Sequence, residues 1–175
     1  FGDNVFHTPG LRDWMMNSVT SKWWDWRVLP RGLEAFCDYY SRDLGGRDVL
    51  IAENGMALQR DRHNRRIPRA DRMTRSRFLR LHVHEVMRML ERGIPVVGYL
   101  HWSLFDNYEW GSYTPRFGLY SIDYTAGTDR VAVDDSGDHP AETYRKLVAE
   151  ARANATRERA PARADADAGS RRAAG

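Results

Sequence analysis

Apolar positions recur along the chain with two periods. Leu33, Phe36, Cys37, Tyr40 and Leu44 fall on one helical stripe, with Pro30 suited to the first turn and Gly45–Gly46 to the end. Asp48–Ala52 (DVLIA) reads as a short apolar strand that lands on Glu53-Asn54-Gly55. Residues 56–68 have no apolar period and predict a polar loop. From about Ala70 to Arg92 a second helix is predicted, because Leu79, Val83, Val86 and Leu90 recur at steps of four, three and four. Gly93 closes it. Ile94–Leu100 is an apolar, β-branched run too short for a membrane span, and it predicts a buried strand. Leu119–Asp123 and Arg130–Val133 predict short strands, and Pro140–Arg152 a last amphipathic helix with Tyr144, Leu147 and Val148 on its apolar face.

The order is helix, strand, helix, strand, helix. Fully apolar strands are typical of parallel sheets covered on both faces, and strands alternating with helices are the grammar of βα units. Both chemically dense clusters, at Glu53 and after Leu100, fall at the carboxyl ends of predicted strands. That is where a (β/α)-barrel places its active site, and a doubly wound sheet obeys a similar rule. A whole barrel needs eight strands and ~250 residues. This chain offers two convincing ones in 175 residues, so an α/β fold is expected that is an incomplete (β/α)8 TIM barrel, holding the last two barrel strands and their helices. The chain opens at Phe1 and not Met, consistent with a portion of something longer.

Composition narrows the class. Hydrophobic content of 42% and charged content of 29% are those of a globular protein. One cysteine, Cys37, allows no intramolecular disulfide, and no signal stretch opens the chain, so a cytoplasmic setting is expected. The net charge of +3 arises in the last 25 residues, which carry six Arg against Glu158, Asp165 and Asp167. We divide the chain into a Trp-containing, loop-rich lead-in (1–28), the main α/β portion (29–152) and an Ala/Arg-rich tail (153–175) expected to be disordered. The Arg-rich start of the second helix (Arg69, Arg72, Arg75, Arg77, Arg80) and the tail invite a nucleic-acid reading. The strip lacks interleaved aromatics and has Asp61 and Asp71 within or beside it, so a solvated helix face is expected instead. No membrane partner, cofactor or metal is expected. His82 and His84 lie two apart, on different helix faces, and make no zinc pattern.

The candidate chemistry lies at the two strand ends. After Leu100 come His101, Trp102, Asp106, Asn107, Tyr108, Glu109 and Trp110. Indole faces stack on the apolar face of a pyranose while carboxylates and amides bond its hydroxyls, so this mixture points to a sugar site. At Glu53, the Asn-Gly that follows suits a hairpin turn. A hairpin needs a returning strand, however, and MALQRDRHNRRIPRADR has no strand pattern. A carboxylate at the end of a buried strand therefore reads as chemistry.

These residues resemble the C-terminal portion of a family 1 glycoside hydrolase, the retaining β-glucosidase/β-glycosidase family, over roughly residues 20–150. IAENG resembles its nucleophile motif, GYLHWSLFDNYEW with RFGLYSIDY its last-strand signature, and DWRVLPRGL the segment leading into its sixth helix. The HWSL wording is nearest the archaeal-type β-glycosidases. The resemblance implies Glu53 as catalytic nucleophile. It implies Trp102 as the sugar-stacking ring, Glu109 and Trp110 as partners of the glycone hydroxyls remote from the anomeric carbon, and Phe117 as pocket lining. The partner implied is a β-linked glycoside or oligosaccharide. Relatives acting on 6-phosphosugars usually lack the acid at the Glu109 position, so an unphosphorylated glycone is implied.

Several parts of the family pattern have no counterpart: the early Gln and His that bind the glycone, the Arg beneath the nucleophile, the Tyr that contacts it after strand six, and the acid/base. The acid/base of the family lies in an N-E-P motif, which does not occur in this chain, and Glu34, Glu85 and Glu142 all fall in predicted helices. The expected function is thus a fragment of a retaining β-glycosidase with Glu53 as nucleophile. The alternative is a carbohydrate-binding remnant of the same fold without catalysis. Glycone and aglycone preference, oligomeric state and the balance of hydrolysis against transglycosylation stay open.

Overall fold

The protein was analysed as a computed structural model, which describes residues 26–61, 63–109, 113–124, 126–127 and 129–159. Helix α1 (Arg31–Asp43) leads to β1 (Val49–Asn54), and after β2 (Leu58–Arg60) and β3 (Arg66–Ile67) comes α2 (Arg75–Glu91). Then follow β4 (Val96–His101), β5 (Pro115–Arg116), β6 (Ser121–Ile122), β7 (Arg130–Val131) and α3 (Pro140–Arg159). The two apolar strands form a parallel pair, β1 with β4, in which Val49 faces Val96 and Asn54 faces His101. Parallel neighbours need a crossover, and α2 supplies it. The partial α/β fold expected from the alternation is therefore present.

One core lies between this pair and the helices. Cys37 of α1, Ile51 of β1, Val86 and Met89 of α2, and Ile94 and Val96 around β4 are all buried together, with Leu33, Val49 and Tyr99 against them. Helix α2 buries Phe78, Leu79, His82, Glu85, Val86 and Met89, a period of three to four. The stripe is rotated from the one hydropathy predicts. Leu90 stays 44% exposed, while His82 and Glu85 turn inward because each has a partner: Phe78 O lies 2.8 Å from His82 Nδ1, and Arg88 Nη1 donates to Glu85 Oε2 at 3.1 Å. The helix starts at Arg75 and not near Ala70, since the Thr74 hydroxyl accepts the Arg77 N–H at 3.2 Å and caps it.

Three further expectations are corrected. On α1 only Cys37 of the predicted apolar stripe is buried, whereas Phe36, Tyr40 and Leu44 are exposed. Residues 56–68 are not a plain loop. Strand β2 pairs antiparallel with β3 and with β5, and Met56 and Leu58 pack on Phe78 under the first turn of α2. Helix α3 continues to Arg159, past the boundary at 152. The lead-in up to residue 25 and the tail beyond 159 lie outside the described residues. Among the described residues, no helix is long and apolar enough to cross a membrane.

Among the described residues, strands β1 and β4 pair only with each other, so each keeps an edge without a strand partner there. Leu50, Val97 and Leu100 are each more than half exposed, and an apolar groove of about 440 Å³ runs between α2, α3 and β4, lined by Val83, Met87, Val97, Tyr144 and Leu147 among others. Unpaired apolar edges recruit other strands. We expect the isolated chain to self-associate with rising concentration, and Val97→Lys to shift it toward monomer. Light scattering coupled to size exclusion reads this; a monodisperse wild-type monomer at all concentrations would contradict it.

Candidate functional site

The ends of the two parallel strands are tied to each other. Beyond the Asn54–His101 pair, the Trp102 N–H donates to Asn54 O at 3.1 Å, and the Tyr99 hydroxyl donates to Asn54 Oδ1 at 2.8 Å. Gly55 then passes so near Trp102 that a Cβ there would lie 1.9 Å from Trp102 O. Only glycine fits this approach. The Asn-Gly pair thus serves a close backbone passage, and the strand that follows, β2, does not pair with β1. Glu53, the residue before this knot, is exposed.

On the other strand the chain passes through a cis Trp102–Ser103 peptide and folds back on itself. Glu109 Oε1 accepts two hydrogen bonds, from Trp102 Nε1 at 2.8 Å and from Asn107 Nδ2 at 2.7 Å. The Ser103 hydroxyl lies within reach of Phe105 O (2.7 Å) and Asn107 Oδ1 (3.2 Å). Phe117 runs alongside, its carbonyl accepting the Ser103 N–H at 3.3 Å. The structure therefore joins the Trp102 and Glu109 side chains and holds the Phe117 backbone against Ser103, next to the strand end that carries Glu53. Trp110 lies outside the described residues.

Two residues that sequence reasoning placed on the surface are buried. Asp106, expected among the sugar-facing polar groups, has a side chain with no solvent exposure, and Arg75, expected on a solvated helix face, is only 3% exposed. Asp106 accepts the N–H groups of Gly118 and Ile122, while Arg75 Nη1 donates to Gly118 O at 2.7 Å. Arg116 is buried on the other side of Asp106. Desolvation pushes the Asp106 carboxyl above its ordinary range, against the pull of the Arg75 and Arg116 cations. No local pattern announces these contacts, which join positions 12 to 43 residues apart.

Three glutamates of the helices are engaged in ion pairs: Glu34 with Arg92, Glu85 with Arg88, and Glu142 with Arg145 and Lys146. Among the described residues, no group of three or more His, Cys, Asp or Glu is placed to hold a metal ion.

His101 closes β4 against Phe78 and Tyr144, with Phe117 O 3.3 Å from its Nε2. Burial lowers its pKa from 6.5 to about 4. The fold therefore holds the ring neutral while the unfolded chain protonates it, so its contribution to stability is full above pH 6.5 and is lost as pH falls toward 4. We expect the acid limb of the stability curve to flatten in His101→Gln over this window. Denaturant titrations of both proteins at stepped pH measure the difference, and parallel curves would exclude the linkage.

Comparison with known proteins gives the chain a family. The chain is 33% identical over 113 residues to a 1,4-beta-D-glucan glucohydrolase of Thermotoga neapolitana, covering 64% of this chain and 24% of that protein. It is 39% identical over 101 residues to a beta-galactosidase of Sulfolobus acidocaldarius, covering 57% and 18%. The solved family 1 β-glucosidase of Thermotoga maritima superposes with a TM-score of 0.50 at 30% identity, over 64% of this chain and 24% of that one. The chain thus spans about a fifth to a quarter of the length of these relatives. The sequence model of glycosyl hydrolase family 1 matches residues 7–148, and the chain belongs to that family.

Proposed function

We propose that this chain is the nucleophile-bearing, C-terminal part of a retaining β-glycosidase, with an acid/base that other parts of the barrel supply. The reading is supported above all by one observation: the strand end carrying Glu53 is knotted to the strand end carrying the Trp102–Glu109 pair. A nucleophile and the groups that recognise a sugar must share a cavity, and these two strand ends meet.

In this reading the ionised Glu53 attacks the anomeric carbon of a β-glycoside. The C–O bond to the aglycone breaks as a second carboxylic acid protonates the leaving oxygen, giving a glycosyl ester on Glu53. That second group, now a carboxylate, takes a proton from water, which attacks the same carbon and releases Glu53. Retention requires the two carboxyls to lie about 5–5.5 Å apart. No N-E-P motif occurs in the chain, and Glu34, Glu85 and Glu142 lie in helices where each is paired with an arginine, so this reading leaves the second role to the rest of a barrel. Trp102 stacks on the glycone, Phe117 lines its pocket, and Glu109 and Trp110 bond its distal hydroxyls. A carboxylate in Glu109's position disfavours a phosphorylated glycone by charge repulsion. The single cysteine, which allows no intramolecular disulfide, supports a cytoplasmic setting in this reading.

The second reading, a sugar-binding remnant without catalysis, draws on the same Trp102–Glu109 pair and differs only in turnover. Two outcomes separate and test these readings. The 175-residue chain alone is expected to give no appreciable release of aglycone from an aryl β-glucoside; steady turnover by monomeric protein would overturn the division of the site. With the remaining barrel present, Glu53→Gln is expected to lose more than about 10³-fold in rate and to form no covalent adduct with a 2-deoxy-2-fluoro glycoside. A wild-type adduct mapped to another residue would refute Glu53.

A further inference from the structure

We propose that Asp106, anchored by Arg75, is a positioning residue for the glycone end of the site. Its carboxylate sets the spacing between the limb that carries Trp102 and Glu109 and the limb that carries Phe117. What those limbs recognise rests on the glycosidase reading above; the positioning itself does not.

The two limbs, 102–109 and 117–122, run side by side. Their backbones exchange hydrogen bonds from Ser103 to Phe117, Leu119 to Ser103, Tyr120 to Leu104 and Asp106 to Tyr120, at 2.8–3.3 Å. Asp106 adds the side-chain lock. Oδ1 accepts the Gly118 N–H at 2.9 Å, Oδ2 accepts the Ile122 N–H at 3.1 Å, and the Tyr124 hydroxyl donates to Asp106 O at 2.8 Å. The limbs are so close here that a Cβ on Gly118 would lie 2.3 Å from Asp106 N. One carboxylate thus fixes residues adjacent to Phe117 on one side and to Asn107, the second donor to Glu109, on the other.

Arg75 ties this lock to the outer layer. From the first turn of α2 its Nη1 donates to Gly118 O at 2.7 Å and to Ser121 Oγ at 3.1 Å, and its Nη2 stands 3.9 Å from Asp106 Oδ1. Arg116 Nε stands 3.9 Å from Asp106 Oδ2, so the carboxylate is flanked by two guanidinium groups, all three side chains being buried. A carboxamide in place of Asp106 keeps the shape. It loses the counter-charge and turns an N–H₂ toward one of the backbone donors.

The Trp102 indole N–H, bound to Glu109, reports the outcome. We would record indole and amide ¹H–¹⁵N spectra of the 175-residue chain in a Val97→Lys background, assigning the Trp102 signal by its loss in Trp102→Phe. Asp106→Asn is expected to displace that signal and speed its exchange by at least about tenfold, with amide protection in β1 and β4 retained. Ser121→Ala, which removes one Arg75 contact, and Arg75→Lys are expected to move it the same way by less. They carry the test if Asp106→Asn does not fold. A Trp102 signal unmoved in the folded variants, or one that moves only with a general loss of β1 and β4 protection, overturns the proposal. The readout involves no sugar, so its failure is distinct from failure of the glycosidase reading, which the turnover and adduct measurements decide.

Discussion

The structure depends on the closure between the ends of β1 and β4. Two parallel strands have no turn to join them, so their register must come from the core and from contacts at the ends. The core sets one end: Val49 and Val96 pair above a layer of Cys37, Val86 and Met89. The other end is set by polar contacts, Trp102 N–H to Asn54 O and Tyr99 hydroxyl to Asn54 Oδ1. The ladder is irregular between Ile51 and Asn54, so Glu53 lies where the regular pleat has been given up. Gly55 completes the closure because no larger residue lets the chain leave β1 so close to Trp102.

A second constraint acts behind this closure. Arg75, Arg116 and Asp106 place two cations and an anion out of water, an arrangement that is costly unless the geometry and remaining hydrogen bonds are good. The Asp106 oxygens are satisfied by backbone N–H groups more than by either guanidinium, since both cation contacts are 3.9 Å while the N–H contacts are 2.9 and 3.1 Å. The carboxylate therefore organises backbone, and the arginines supply field. Such a group fixes loop shape better than it adds stability, in keeping with its place under the limbs of the aromatic segment.

What the sequence made legible follows from range. Helices α1, α2 and α3 and both parallel strands show in the pattern because hydropathy reports burial against one continuous core, and the strand-end rule then singles out Glu53 and the Trp102–Glu109 segment. The β2–β3 hairpin does not show in the pattern because its ladder holds only two residue pairs, Gln59 with Ile67 and Arg60 with Arg66, too few to carry a period of two. The burial of Arg75 does not show either, because charge alone cannot distinguish an arginine at a solvated helix start from one whose partners lie 43 and 46 residues away. Phe36, Tyr40 and Leu44 form a proper helical stripe that stays exposed among the described residues, so the period of a helix does not by itself say how deeply its apolar face is buried.

If the glycosidase reading holds, the Glu109 group is ordered before any ligand arrives. Its Oε1 already accepts from Trp102 and Asn107, both at hydrogen-bond distance. In the glycosidase reading a sugar hydroxyl can donate to Oε2 while Oε1 keeps both donors, since a carboxylate has acceptor sites on each oxygen. That contact replaces one the hydroxyl made with water, so most of the net gain comes from the indole face and from excluded water. This favours a ligand with an apolar face broad enough to cover Trp102 and hydroxyls spaced to reach the carboxylate. It disfavours a merely anionic ligand, which Glu109 repels while offering no ring a reason to stack. The geometry around Trp102 thus constrains the ligand more narrowly than the charge of the chain does, and it does so through hydrogen bonds that are in place before any ligand arrives.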